Sequence, residues 1–369
     1  MKNSLLLKIL LGLLAISSMI IVTSLSHGRK PPPTGMVWIP AGDFLMGSAS
    51  KLAKANEQPV FKARVSGFWM DSCDVTNAQF SAFVRATGYI TTAERKPDWE
   101  SLRVQLPAGT PKPDDAVLVA GAMVFTGTSK PILLNDWSAW WTYVAGANWK
   151  HPNGPASDLT GKNNYPVVQV SWLDAQAYAK WVGKRLATEV EWEYAARGGI
   201  EQADYAWGNE LKPAGKTMTN IFPNQGKFPV IDVATEAHTT TQIGTQAVKS
   251  YPANGYGLYD MTGNVWQWTA DYYRADRFQQ LKGLKNEFGV VQNPPGPAES
   301  FDPEDSNAPA NAPKRVIRGG SFLCDESYCQ SYRPSARRGA DPANPMSHIG
   351  FRLVLSAENQ QESIKIATQ

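Results

Sequence analysis

Histidine and cysteine are scarce in this chain of 369 residues. There are four histidines, His27, His151, His238 and His348, and three cysteines, Cys73, Cys324 and Cys329. Histidines so few and so scattered argue against a three-histidine iron centre and against a zinc site built on neighbouring His and Cys ligands. Three cysteines allow at most one disulfide, so the chain is not a disulfide-stapled scaffold. The formal net charge is only +3. With no Lys/Arg stripe along the sequence, a nucleic-acid partner is not expected. Internal repeats and low-complexity runs are also absent, which excludes solenoids and arrays.

What is present describes a globular, loop-rich protein. Hydrophobic residues make up 43% and charged residues 19%, enough apolar surface for a sizeable core. Thirteen each of Trp, Tyr and Phe make the chain aromatic-rich, and 30 Gly with 26 Pro favour irregular backbone over long elements. The N-terminus stands apart. After Lys2 and Lys8, the seventeen residues Ile9 to Leu25 carry no charge. That length matches a signal-peptide core or a short membrane span. Residues 1–30 are therefore read as a signal peptide or membrane anchor, with the domain exported to the periplasm or another extracytoplasmic space. Residues 31–35 read as a linker, 36–356 as the folded domain and 357–369 as a polar tail.

Local signals place several elements. "MVWIPAGDFLMGS" reads as a strand pair turning at Ala41-Gly42. Thr76 is a natural N-cap for a helix that presents Phe80, Phe83 and Val84 on one face and stops at Gly88. Cys73 reads as a small buried residue at a strand end. Residues 91–165 read as mostly irregular. "VVQVSW" reads as a strand, followed by a helix over Asp174 to Val182. Thr188 and Glu191 form a capping box for a further helix ending at Gly198-Gly199. Glu189, Glu191 and Glu193 read as capping and surface-pairing carboxylates. "HIGFRLVLS" reads as a closing strand.

The chemistry-bearing stretch is "GGSFLCDESYCQSYR", Gly319 to Arg333. Two cysteines five apart converge on neither a helix, where they point about 140° apart, nor a strand, where they face opposite sides. Bringing them together takes a turn, and Asp325, Glu326 and Ser327 are turn-compatible. Three states are then open. A disulfide sets the sulfurs about 2 Å apart. Two thiolates on one metal stand roughly 4–4.5 Å apart, given metal–sulfur bonds of about 2.3 Å. Free thiols need no fixed relation. Two thiolates without further ligands suit a soft, low-coordinate ion, Cu(I) above all.

These residues resemble the formylglycine-generating enzyme (sulfatase-modifying factor) family. The resemblance covers about Met36 to Val354. Its blocks are "MVWIPAGDFLMGS", "GANWKHPNGP", "PVVQVSWLDAQAYAKWVGKRLATEVEWEYAARGG", "YAWGNE", "NGYGLYDMTGNVWQWTADYY", "RVIRGGSFLCDESYCQSYRPSARR" and "HIGFRLV". Most of these blocks specify a fold shared by many activities; the segment with Ser321 and the two cysteines is the specific one. The resemblance implies an α+β fold, a C-type lectin-like variant with little regular structure. It implies an oxidase that uses O2 and Cu(I) to convert the cysteine of a Cys-x-Pro-x-Arg segment in an unfolded sulfatase to Cα-formylglycine. Cys324 and Cys329 match the copper ligands, and Ser321 the active-site serine. Trp149 and Tyr328 match substrate-side residues, and His348 stands where the family often has Asn. The resemblance also implies structural Ca2+. Asn220 and Ile221 match one calcium region, whose acidic ligand is missing, with Thr240 or Gln242 in its place. Asp260, Gly263 and Val265 match a second region, where Gln267 replaces a Glu. A monomer is expected, with membrane association through residues 9–25. The competing reading is a non-catalytic, lectin-like binding module of the same fold, as in family paralogues without the cysteine pair.

Overall fold

The structure, a computed structural model, describes residues 32–223, 226–231 and 243–357. The apolar run Ile9 to Leu25 and the polar tail from residue 358 lie outside the described residues. Among those described, no helix is long and apolar enough to cross a membrane. The compact unit that carries the site opens at Gly35.

The strands are short and fall into four sheets. In the first, β1 (Met36–Ile39) pairs antiparallel with β4 (Phe68–Asp71), which pairs with β13 (Leu353–Ser356) and, beyond it, β7 (Arg185–Leu186). The start and end of the domain are thereby stitched into one sheet. The second joins β2 (Gly42–Met46), β3 (Phe61–Val65) and β9 (Val290–Gln292). Along β3, Phe61, Ala63 and Val65 are buried while Lys62 and Arg64 face solvent, the alternation of a half-buried strand. The third sheet has the order β11 (Arg337–Ala340), β10 (Arg315–Arg318), β8 (Trp266–Tyr272), β12 (Ile349–Gly350). It carries both ends of the cysteine segment. The fourth is the hairpin of β5 (Gly121–Phe125) and β6 (Trp141–Ala145).

Helices form where their caps are strongest. Thr76 and Gln79 close a reciprocal box at the start of α1 (Asn77–Thr87), and Gly88 ends it in the left-handed region, φ +67°. After the short α2 (Trp99–Arg103), Ser171 and Asp174 open α3 (Trp172–Trp181), two residues earlier than the sequence pattern places it. Thr188 and Glu191 open α4 (Glu189–Arg197). Its C-cap Gly198 has φ +57°, and a Cβ there would come within 2.8 Å of the Gly255 backbone N, so conformation and space both demand glycine. A single turn and a half, α5 (Arg277–Lys282), precedes β9.

Several expectations are corrected. β1 and β2 exist, but they lie in different sheets rather than pairing across Ala41-Gly42; each instead meets a strand later in the chain. "VVQVSW" is not a strand. Gln169 has φ +58° and its side-chain amide donates to Met123 O and Pro152 O, so this buried apolar run is a core-crossing connector. Periodicity alone does not tell such runs from strands. Residues 91–165 are less irregular than expected, since they contain the β5–β6 hairpin. "HIGFRLVLS" splits between two sheets, as β12 and β13. Cys73 is half-buried, and none of the three cysteines is bridged.

Candidate active site

Charge fixes the cysteine segment at both ends. Glu189 and Glu193, expected on the surface, are buried, at 3% and 0% exposed. Glu189 accepts from Arg318 at 2.8 Å and from both Nε and Nη2 of Arg337 at 2.6 and 2.7 Å. Glu193 accepts from Arg318 Nη2 at 2.6 Å and from Arg197 at 2.8 Å. Only Glu191 behaves as anticipated, capping α4 and pairing with Arg185. Farther along, Glu57 takes a bidentate pair from Arg333 at 2.7 and 2.6 Å and a third bond from Ser335. Burial alone would raise the Glu189 and Glu57 carboxyls, yet the facing guanidiniums hold both below their ordinary range. Arg318 directly precedes Gly319, and Arg333 follows Tyr332. The loop between them therefore hangs from buried, ion-paired guanidiniums, an arrangement in which a lost partner is costly.

Within the loop the backbone is equally committed. Gly319 and Gly320 have φ +93° and +69°; a Cβ on Gly320 would sit 2.9 Å from Cys324 Sγ. The Ser321 N–H donates to Cys324 Sγ at 3.4 Å, and the Ser321 hydroxyl oxygen accepts from Leu323 N at 3.2 Å. Phe222 N donates to Cys324 O, and Phe322 N to Asn264 O. The turn required between the cysteines is built by Asp325, which is fully buried. Its carbonyl accepts from Tyr328 N and Cys329 N, Oδ1 accepts from both N and Oγ of Ser327, and Oδ2 accepts from Gly226 N.

The result brings the two sulfurs to 2.7 Å from one another. Both are buried. This separation exceeds the about 2.05 Å of a disulfide bond. A shared S–H between them holds Cys329 down to about 5, aided by the Arg338 guanidinium and by Ser331 and opposed by burial. Burial and the neighbouring sulfur push the Cys324 thiol up. The two thiols are thus pushed in opposite directions, Cys329 toward the thiolate and Cys324 toward the thiol. Arg338, on β11, faces both cysteines and Tyr328. Nothing in the sequence pattern marks it; its register opposite Ile317 on β10 brings it there.

Aromatic rings wall one side. Tyr328 stacks on Phe228 at 4.8 Å and meets Trp140 edge-on at 5.5 Å. Phe125 contacts both Phe228 and Trp141, and Trp141 lies 4.7 Å from the His348 ring. The Trp140 Nε1 and His348 Nδ1 atoms are buried without a partner among the described residues. Burial, with Arg338 nearby, pushes the His348 imidazole down to about 3, so it is neutral at physiological pH. Trp149 is a core residue rather than an open groove wall. It is 4% exposed and packs edge-on against Phe80 at 5.3 Å, in the same cluster as the two cysteines. Phe125, Trp140, Trp141, Phe228 and Arg338 are site residues that sequence reasoning missed, and most come from the unread hairpin and its neighbours.

The donor set fits a soft cation at the cysteines: two convergent sulfurs, with no third ligand among the described residues. Among the described residues no group of three or more His, Cys, Asp or Glu is arranged for a metal. The calcium regions differ. Asn220 donates from Nδ2 to Gly244 O and to Asn264 Oδ1 and adjoins half-buried Ile221, but Thr240 and Gln242 lie outside the described residues. In the second region, Gln267 turns a donor where a cation would need an acceptor.

A model of the sulfatase-modifying factor enzyme 1-like domain matches residues 23–357. The chain belongs to the formylglycine-generating enzyme family. It is 44% identical over 321 residues to a formylglycine-generating enzyme of Thermomonospora curvata, covering 86% of this chain and 92% of that one. With the enzyme of Mycobacterium tuberculosis it shares 42% identity, over 87% and 97% of the two chains. It is also 33% identical to an inactive Cα-formylglycine-generating enzyme 2 of Bos taurus, over 93% and 97%. PvdO from Pseudomonas aeruginosa superposes with a TM-score of 0.53 at 20% identity, covering 89% of this chain and all of that one. That likeness concerns the fold, an α+β architecture of short strands and few helices. The relatives thus include proteins named as active and as inactive enzymes.

Proposed function

We propose that the chain is a Cu(I)-dependent oxidase that converts the cysteine of a Cys-x-Pro-x-Arg segment in an unfolded sulfatase to Cα-formylglycine. The observation that carries this reading is the pair of buried sulfurs, free and aimed at one another, in a loop whose other polar groups are largely satisfied. Bound copper would supply one-electron chemistry toward O2. The residues of this chain do the rest. Cys324 and Cys329 would hold the ion through their two sulfurs. Arg338 offsets the negative charge of the thiolates, and Ser321 fixes the position of Cys324 through its N–H. The aromatic wall keeps water from the sulfurs, and the unpartnered Nδ1 of His348 and Nε1 of Trp140 offer polar contacts to an entering peptide.

The chemistry balances with a thiol reductant. The substrate loses two electrons as its Cβ–S bond gives way to an aldehyde C=O and the sulfur leaves as hydrogen sulfide. Two equivalents of a small thiol, oxidised to a disulfide, supply the other two electrons that take O2 to the level of water. Export of the enzyme, through residues 1–30, would bring it to its substrate before that substrate folds.

The test is conversion of a Cys-x-Pro-x-Arg peptide by the copper-loaded protein in air with a thiol reductant, followed by mass spectrometry. Conversion that depends on copper and disappears in Cys324→Ser and in Cys329→Ser supports the oxidase. No conversion, with the cysteines found bridged and indifferent to copper, leaves a lectin-like binding module.

A further inference from the structure

The turn from Asp260 into β8 presents the residues expected to hold a second calcium, yet its hydrogen bonds leave no acceptor for one at Gln267. Gln267 is completely buried. Its Oε1 accepts from Trp192 Nε1 at 2.7 Å and from Arg352 Nε at 2.9 Å. An indole N–H and a guanidinium N–H donate only and never accept. The amide therefore cannot turn over, because a flip would set an NH2 group against two further N–H donors. Its orientation is fixed by chemistry rather than by assignment. Gln267 Nε2 must then point the other way, and it donates to Asp260 O at 2.8 Å. Arg352 Nη2 donates to the same carbonyl at 3.0 Å and to Tyr259 O at 2.7 Å. On the far side, Asp260 Oδ2 accepts from Lys249 N. Calcium binds six to eight oxygens at about 2.3–2.6 Å. Here one intended ligand is a donor, and the carbonyl beside it already takes two N–H bonds.

We infer that the Asp260–Gln267 turn of this chain is not a calcium site, and that the Gln267 amide and the Arg352 guanidinium do the cross-linking a cation would otherwise do. They tie the turn to α4 through Trp192 and to the closing segment through Arg352, without any metal. The same geometry states what would restore a site. A carboxylate at 267 keeps one oxygen for Trp192 and Arg352 and sets the other against Asp260 O. Two facing acceptors are relieved by a cation or, where none is bound, by a proton on the carboxyl.

The experiment is a crystal structure of the wild-type protein grown in millimolar calcium, together with calorimetric calcium titration of the wild type and Gln267→Glu. The inference expects no calcium peak within ligand distance of Asp260, Gly263 O or Val265 O, and one more calcium per chain in Gln267→Glu than in the wild type. Counting the difference removes any contribution from the Asn220 region. A calcium at Asp260, Gly263 or Val265 in the wild type, or equal stoichiometry in the two proteins, overturns the inference. Should Gln267→Glu fold neither with nor without calcium, the wild-type crystal decides alone. None of these readouts depends on oxidase activity, so they stand apart from the proposed reaction.

Discussion

The cysteine loop and the Asp260 turn both look like metal sites in sequence, and the structure treats them in opposite ways. In the loop, guanidiniums, carboxylates and backbone groups pair with one another, and the two sulfurs are left with little but each other. In the turn, the side-chain oxygen that should face a cation is spent on Trp192 and Arg352. Residue identity nominates a site; uncommitted ligand capacity makes one. A region that satisfies all its own donors and acceptors has become framework.

The contrast can be broken most severely from the framework side of the loop. Glu189→Gln strips the carboxylate that pairs with Arg337 and one of the two that pair with Arg318. It should cost about 3–5 kcal/mol, because it strands the buried Arg337 guanidinium, read as a lower urea midpoint at unchanged slope. The same substitution at Glu191, whose Arg185 partner is half-exposed, should cost on the order of 1 kcal/mol or less. Equal losses at the two positions would contradict the idea that buried charge anchors the loop.

Gly320→Ala sharpens the comparison within the loop itself. The new Cβ meets Cys324 Sγ in a left-handed backbone, a conformation that costs a non-glycine residue about 1–2 kcal/mol. Peptide conversion should fall at least tenfold, well beyond what that loss of stability explains. An alanine variant of full activity would show that the sulfur positions are not set by Gly320.

Smaller effects test electrostatics. Arg338→Gln removes the positive charge facing the thiolate. Thiol alkylation of the pair, followed against pH, should shift to higher pH. His348→Asn probes a histidine held neutral. Its folded value lies near 3 and its unfolded value near 6.5, so the unfolded chain binds more protons between those limits and the wild type loses stability as pH falls through that window. The variant lacks this loss. Its stability relative to wild type should rise toward acid by at most about 1.4 kcal/mol per pH unit. A difference independent of pH between 3 and 6.5 would contradict burial of the neutral ring.

Much of the framework is legible in the sequence because its causes are local. Thr76 with Gln79, and Thr188 with Glu191, announce helix starts three residues apart, and Gly88 and Gly198 announce their ends. The need for a turn between Cys324 and Cys329 follows from side-chain direction alone, and Asp325 supplies it. What fails to be legible is long-range. Glu189 and Glu193 read as surface residues because their partners Arg318 and Arg337 lie more than a hundred positions away. The β5–β6 hairpin hides because β6 shows no clean alternation of buried and exposed residues. Arg338 reaches the sulfurs through strand register, which no spacing rule encodes. At Gln267 the identity is visible but the orientation of its amide is not, and the orientation decides the chemistry.

The measurement that bears most directly on the central claim is a Cu(I) titration against a chromophoric chelator, under reducing conditions and without oxygen. The account predicts one tightly held Cu(I) per chain, lost in Cys324→Ser and in Cys329→Ser and retained in His348→Asn. Failure of the reduced wild type to compete for Cu(I), or copper binding that survives loss of either cysteine, would contradict it.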